Sequence, residues 1–113
     1  MSGITTHVLD TSRGRPASGV PVLLAVLSEP GWREVGRAET DADGRARQLL
    51  PAGSELSAGT YRLTFAIETY FQAQGIEGFY PEASIVFHVR DAAQHYHVPL
   101  LLSPYGYSTY RGS

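Results

Sequence analysis

The stretch GTYRLTFAIE, residues 59–68, alternates apolar and polar side chains more regularly than any other part of the sequence. Its apolar residues would share one face of a strand, and its polar residues would share the other. The apolar set is Tyr61, Leu63, Phe65 and Ile67, and the polar set is Thr60, Arg62, Thr64 and Glu68. A repeat of two residues is typical of a strand that buries one face. The segment therefore predicts a β-sheet lying against a hydrophobic core.

Similar short runs, separated by turn-forming residues, follow one another along the chain. The predicted strands are residues 4–10, 20–27, 32–39, 45–49, 59–68, 83–90, 95–103 and 105–110. A turn is expected over residues 11–16, and a short helix over residues 70–74, where the alternation is lost before Gly75. About eight strands and one short helix predict an all-β fold, in which two antiparallel sheets form a β-sandwich.

Length and composition exclude several classes of function. The 113 residues predict a single domain over residues 1–113. Because there is no cysteine, disulfides, thiol catalysis and cysteine-ligated metals are excluded. The net charge of −2 gives no electrostatic basis for binding nucleic acid or an anionic membrane. No apolar run approaches the ~18–20 residues of a membrane span. Residues 1–10 lack the basic and apolar stretches of a signal peptide, so a cytoplasmic location is expected.

Strand alternation places histidines on the outer face of a sheet. In the segment 95–103 one parity is entirely apolar and must face the core; it consists of Tyr96, Val98, Leu100 and Leu102. His95 and His97 therefore face outward beside Leu101, and His7 shares a face with Leu9 on the first strand. A face that mixes histidines with leucines suits contact with a ligand or a partner. Solvent-exposed histidines without a function are an equally good interpretation at this point.

His95 and His97 also have a spacing that can bind a metal ion, because it puts two imidazoles on one face of a strand. A third ligand could come only from His7, His88 or a carboxylate. No Asp or Glu of matching parity lies nearby on the strands that carry the histidines. We therefore expect no metal and no other cofactor.

Four segments of the sequence resemble a known family. They are HVLD at 7–10, GRPA at 14–17, TDADGR at 40–45 and the closing run HYHVPLLLSPYGYSTYRGS at 95–113. Together they resemble the 5-hydroxyisourate hydrolases, which are the transthyretin-like proteins of purine catabolism. The resemblance covers essentially the whole chain. Its most specific mark is the terminal YRGS at 110–113, which transthyretin, the hormone carrier of the same family, lacks.

The resemblance implies a transthyretin-like (prealbumin-like) sandwich that assembles as a homotetramer, a dimer of dimers. Two sheet faces would then meet to form a central channel that holds the active sites. The implied reaction is hydrolysis of the lactam ring of 5-hydroxyisourate to 2-oxo-4-hydroxy-4-carboxy-5-ureidoimidazoline, a step of urate degradation. This small-molecule reaction needs no cofactor, no nucleic acid and no membrane.

The resemblance also implies site residues. The catalytic set is His7, Arg45, His97 and Ser113, and the substrate-binding set is His7, Arg45, Ser108, Tyr110, Arg111 and Gly112. One histidine would take a proton from water, since imidazole titrates near neutral pH, while the other orients the water or protonates the leaving nitrogen. Arg45 and Arg111 would stabilise the oxyanion. Tyr110 could hold the planar ring, Ser113 could hold a histidine or an arginine, and Arg47 is a weaker candidate than Arg45.

Two other functions remain open from the sequence. A transthyretin-like carrier would bind an aromatic ligand in the same channel without converting it. A structural sandwich module would have no use for the histidines and would be expected to have flanking domains. His7, Arg45, His97 and the terminal tetrapeptide favour the enzyme over both alternatives.

Overall fold

Strands account for about half of the chain in the computed structural model, which describes residues 3–112. In chain order the elements are β1 (Gly3–Asp10), β2 (Arg15–Pro16), β3 (Pro21–Ser28), β4 (Gly31–Glu39), β5 (Arg45–Ala46), β6 (Gly59–Phe65), α1 (Ile67–Gln72), β7 (Ala83–Val89), β8 (His95–Ser103) and β9 (Gly106–Thr109). Within residues 3–112 no helix has the length and apolarity needed to cross a membrane.

The strands form two sheets, which confirms the predicted all-β sandwich. The first sheet has the order β2-β1-β8-β9, with β5 also paired to β1, and the second has the order β4-β3-β6-β7. The core lies between them and is built from alternate side chains of both sheets. Its largest fully buried members include Leu24, Leu63, Phe65, Leu100 and Leu102. Full burial of one such side chain is worth about 1.5–3 kcal/mol.

One strand pair departs from the predicted antiparallel arrangement. β1 and β8 run parallel along their whole length, from Gly3 opposite His95 to Asp10 opposite Leu102. Every other strand pair of the two sheets is antiparallel. Alternation of side chains is the same in both kinds of pair, so the sequence pattern does not distinguish them. The parallel pair matters for function, because it sets the two histidine-bearing strands side by side.

Several predicted boundaries are wrong. The strand predicted at 59–68 ends at Phe65, and α1 begins at Ile67 rather than at residue 70. Ile67 is buried together with Tyr70 and Phe71, a spacing that forms one face of a helix. Because Ile67 follows Phe65 by two residues, the sequence pattern looked like a continuing strand. The strand predicted at 45–49 is confined to Arg45–Ala46, and the turn predicted at 11–16 ends in the short strand β2.

A buried carboxylate joins the end of β1 to α1. Asp10 is fully buried; its Oδ1 accepts hydrogen bonds from the Ser12 hydroxyl (2.7 Å) and backbone N–H (3.1 Å) and from the Arg13 N–H (3.2 Å). Its Oδ2 accepts one from the Tyr70 hydroxyl at 2.7 Å. Burial alone would raise the pKa of Asp10, but these hydrogen bonds outweigh it and hold the pKa below its usual value.

Asp10→Asn should therefore destabilise the fold by about 1–3 kcal/mol at neutral pH, since the amide cannot accept all four hydrogen bonds. A carboxyl with a depressed pKa stabilises the fold above its unfolded pKa of about 3.9 and loses that contribution as the pH falls through its folded pKa. The difference in unfolding free energy between the variant and the unsubstituted protein should thus become smaller in acid. Urea unfolding at neutral pH and at about pH 3 measures it; a deficit that does not change with pH would contradict this role.

Candidate active site

The outer face of the first sheet carries three of the four histidines. Along β1 the odd-numbered residues are half-buried and the even-numbered residues are buried, so Thr5 and His7 face outward. On β8 His95 and His97 face outward, because the residues of the other parity fill the core. This is the placement that the sequence alternation predicts.

The parallel register of β1 and β8 brings the outward side chains together. Thr5 lies opposite His97, and His7 lies opposite Pro99. His7 and His97 are therefore diagonal neighbours on the outer face of adjacent strands, close enough for His7 to affect the pKa of His97.

The surroundings of His97 perturb its pKa. Its Nδ1 lies 2.8 Å from the Thr5 hydroxyl, and the residue is half-buried. Burial, followed by the positive charge of Arg45 and the nearby imidazoles of His7 and His95, lowers the pKa of His97 below its usual 6.5. The ring is consequently neutral at pH 7 and can accept a proton.

A tight turn brings Arg45 to the same face. The Asp41 carboxylate accepts hydrogen bonds from the backbone N–H groups of Asp43 (2.8 Å) and Arg45 (3.0 Å). Gly44 has φ +75°, and a Cβ there would come within 2.5 Å of the Val8 carbonyl oxygen, so only glycine fits this turn. The turn leads into β5, where Arg45 lies directly opposite His7.

The same turn orients His7. Its Nε2 lies 2.9 Å from the Asp43 carbonyl oxygen, which can only accept a hydrogen bond. Nε2 of His7 therefore carries a proton, and Nδ1 is the ring nitrogen that remains for substrate or water.

The C-terminal segment extends this face beyond β9. In the β8–β9 pair Leu101 lies opposite Ser108. The same register continues beyond β9 to an isolated antiparallel bridge between His97 and Gly112. The Gly112 N–H donates to the His97 carbonyl oxygen at 2.8 Å. A Cβ on Gly112 would lie 2.6 Å from His97 Cδ2, so the imidazole ring occupies the space that a side chain would need.

Gly112→Ala should therefore displace the His97 ring or detach the terminal segment. A shift of about 1 Å at a catalytic group typically costs about 10²-fold in rate, and we expect a loss of that order in kcat/KM. The melting temperature should change little, since Gly112 lies outside the core. Gly31→Ala serves as the control substitution, because Gly31 has no positive φ and a Cβ there meets nothing within 4 Å. Unchanged activity in Gly112→Ala would contradict the contact.

The remaining candidate residues are not all brought together. Ser108 is exposed on the face that carries the histidines, opposite Leu101, the next outward residue of β8 after Pro99. Tyr110 is exposed and, with Arg111, lines a groove of about 500 Å³ beside β7. The guanidinium of Arg111 lies over the ring of the core residue Tyr96, 4.6 Å from its centroid, and donates to the Gln94 side chain at 3.0 Å. Ser113 lies outside the described residues.

Sequence reasoning missed Thr5. Its hydroxyl lies 2.9 Å from His95 Nε2 and 2.8 Å from His97 Nδ1, so it joins the two outward rings of β8. Its parity, shared with His7, was the available signal, but threonine is common on outer strand faces and does not indicate chemistry by itself. Within residues 3–112 no three His, Asp or Glu side chains are gathered in a way that could hold a metal ion.

Known proteins resemble the chain over its full length. A profile of the HIUase/Transthyretin family matches residues 4–112. The 5-hydroxyisourate hydrolase of Caulobacter vibrioides is 50% identical over 117 residues, covering all of both chains; that of Mus musculus is 46% identical, covering 99% of this chain and 96% of the relative. The structure of Klebsiella pneumoniae 5-hydroxyisourate hydrolase is similar with a TM-score of 0.86 at 38% identity, with full coverage of both chains. Transthyretin from Sparus aurata is similar with a TM-score of 0.90 at 30% identity, covering 99% and 97% of the two chains.

Proposed function

The chain belongs to the HIUase/Transthyretin family, and from that premise we propose that it hydrolyses 5-hydroxyisourate on the outer face of the first sheet. It is a hydrolase of urate degradation rather than a carrier, since the full-length relatives at 44% to 50% identity are named 5-hydroxyisourate hydrolase. The observation that carries the assignment of the site is a half-buried His97, with a lowered pKa, beside His7 and Arg45.

In this mechanism His97 is the general base. It removes a proton from a water molecule while the water oxygen bonds to the lactam carbonyl carbon and the carbonyl electrons move to oxygen. Arg45 stabilises that oxyanion with its fixed positive charge. His7, held through Nε2–H by the Asp43 carbonyl, orients the water through Nδ1. When the carbon–nitrogen bond breaks, the His97 proton passes to the leaving nitrogen.

The remaining residues support this centre from its edges. Ser108 lies on the same face and is suited to hydrogen-bond the substrate, and Tyr110 offers a planar surface for its ring. The contacts of Arg111 with Tyr96 and Gln94 suggest that it holds the terminal segment, and with it Gly112, against His97. Arg45 is then the guanidinium that acts on the oxyanion. The role expected of Ser113 stays a prediction, as does the cytoplasmic location.

A homotetramer built as a dimer of dimers would enclose this face in a channel. Open strand edges and exposed aromatic side chains support assembly, since monomers rarely leave such surfaces uncovered. Phe79, Tyr80 and Tyr107 form one exposed cluster near β9, with ring centroids 4.9 Å and 5.4 Å apart. Light scattering should give about 49 kDa, four times the 12.3 kDa of one chain; a mass of 12.3 kDa would contradict the tetramer.

The activity is tested by generating 5-hydroxyisourate in place with urate oxidase and following the decay of its absorbance. We expect the protein to accelerate that decay well above the spontaneous rate. A decay no faster than the spontaneous one, combined with measurable binding of the compound, would favour the carrier instead.

The pH dependence follows from the environment of His97. Because its pKa is lowered, kcat/KM should be constant around neutral pH and should fall only as the pH drops through a value below about 6.5. Protonation removes the base, so the loss lies on the acid side. Initial rates from about pH 8 to about pH 5 measure it; a loss of activity that begins above pH 7 would contradict a neutral, desolvated base.

A further inference from the structure

Thr5 and His95 form the part of the outer face that the mechanism above does not use. The Thr5 hydroxyl lies between two ring nitrogens, His95 Nε2 at 2.9 Å and His97 Nδ1 at 2.8 Å. A hydroxyl has one proton to donate and two lone pairs to accept with. Thr5 can therefore donate to only one of the two rings, and the other hydrogen bond needs an N–H from its own ring.

The single proton of the Thr5 hydroxyl couples the tautomers of His95 and His97. If Thr5 donates to a bare His95 Nε2, His97 must donate from Nδ1, and its Nε2 is left bare as the base. If His95 carries a proton on Nε2, the Thr5 proton is free to turn to His97 Nδ1. His97 then carries its own proton on Nε2 and cannot act as a base through that atom.

We propose that Thr5 and His95 are positioning residues that set the tautomer of His97, with Thr5 as the hydroxyl bridge and His95 as its solvent-exposed end. The proposal rests on the proposed function for its kinetic consequences, but the tautomer of His97 is a property of the protein alone. The base is available while His95 Nε2 is bare and is lost when His95 Nε2 carries a proton.

The surroundings of the two rings are consistent with this coupling. His95 is exposed, whereas His97 is half-buried and its pKa is lowered by burial. The charged and titratable groups that face His97 are Arg45 on β5, His7 on β1 and His95 on its own strand. On the other side of His95, the Arg111 guanidinium lies 3.4 Å from the His95 carbonyl oxygen. Among the described residues, the hydrogen-bond partner of His97 Nδ1 is the Thr5 hydroxyl.

The decisive variant is Thr5→Val, which removes the hydroxyl and keeps the branched shape on an outward strand position. Loss of a residue that orients a catalytic group typically costs about 10–100-fold, and we expect that loss in kcat with little change in KM. Thr5→Ser keeps the hydroxyl and should restore the rate. Thr60→Val is the matched control, since Thr60 lies 3.4 Å from His88 on the other sheet; it should leave the rate unchanged.

His95→Gln and His95→Leu test the exposed end of the bridge. The Gln amide oxygen can accept the Thr5 proton, so kcat should be largely kept. Leu offers no acceptor and should lower kcat as Thr5→Val does. Equal rates in the two variants would overturn the role of His95.

A direct readout is the imidazole nitrogen chemical shifts of His97 by NMR in the substrate-free protein at neutral pH. We expect a protonated Nδ1 and a bare Nε2, changing to a mixture of tautomers in Thr5→Val but not in Thr60→Val. The proposal is overturned if His97 carries its proton on Nε2 in the unsubstituted protein, or if Thr5→Val leaves both the shifts and kcat unchanged. Failure of the protein to accelerate hydroxyisourate decay would instead overturn the proposed function, and the NMR result would stand by itself.

Discussion

His97→Asn should lower kcat for hydroxyisourate by about 10²–10⁴-fold, the usual contribution of a positioned general base. Asparagine can replace the hydrogen bond from position 97 to Thr5, but it cannot take a proton from water. The fold should be unaffected, because His97 faces outward from β8. Stopped-flow measurement of the absorbance decay, corrected for the spontaneous reaction, gives the rate.

His88→Asn is the matched control for this substitution. His88 lies on a strand of the other sheet, opposite Thr60 on β6. Its replacement should leave the rate close to that of the unsubstituted protein. Equal losses in both variants would mean that the effect of His97→Asn is structural rather than chemical.

Arg45→Gln should lower kcat/KM by about 10²–10³-fold, since it removes the fixed charge that stabilises the oxyanion. Its backbone position should persist, because the Asp41 carboxylate holds the Arg45 N–H rather than its side chain. Loss of the guanidinium also removes a charge that lowers the pKa of His97, so the acid limb of kcat/KM should move to higher pH.

Arg47→Gln is the control for Arg45→Gln. Arg47 lies two residues further along, is exposed and lies beyond the end of β5. Its replacement should change kcat/KM little and leave the acid limb in place. A large loss in Arg47→Gln together with a small one in Arg45→Gln would transfer the electrostatic role to Arg47.

The placement of the histidines was predictable because it depends only on the alternation of side chains. Tyr96, Val98, Leu100 and Leu102 identify the inner face of β8, and the position of His97 follows from theirs. The nearness of His7 to His97 was not predictable from alternation, since it depends on the parallel pairing of β1 with β8. Strands from the two ends of a chain become neighbours through the topology of the whole sheet.

The direction of the Arg111 side chain could not be read from the sequence. The family resemblance assigns Arg111 to the substrate, a role that stays a prediction; in the structure its guanidinium lies over the ring of Tyr96. The register that pairs His97 with Gly112 puts Arg111 at the inward parity, opposite Val98. The sequence pattern does not show that the register continues past the end of β9. Beyond that point there is no regular strand, so alternation no longer indicates which side chains face inward.

His7 and His97 are proposed to act together in one reaction. The double variant His7→Asn/His97→Asn tests this most directly. Groups that act as a unit have non-additive effects, so the double variant should hydrolyse hydroxyisourate about as slowly as the slower single variant. Losses that multiply, with the double variant slower by the product of the two single effects, would mean that the two imidazoles contribute independently, and the shared centre would be contradicted.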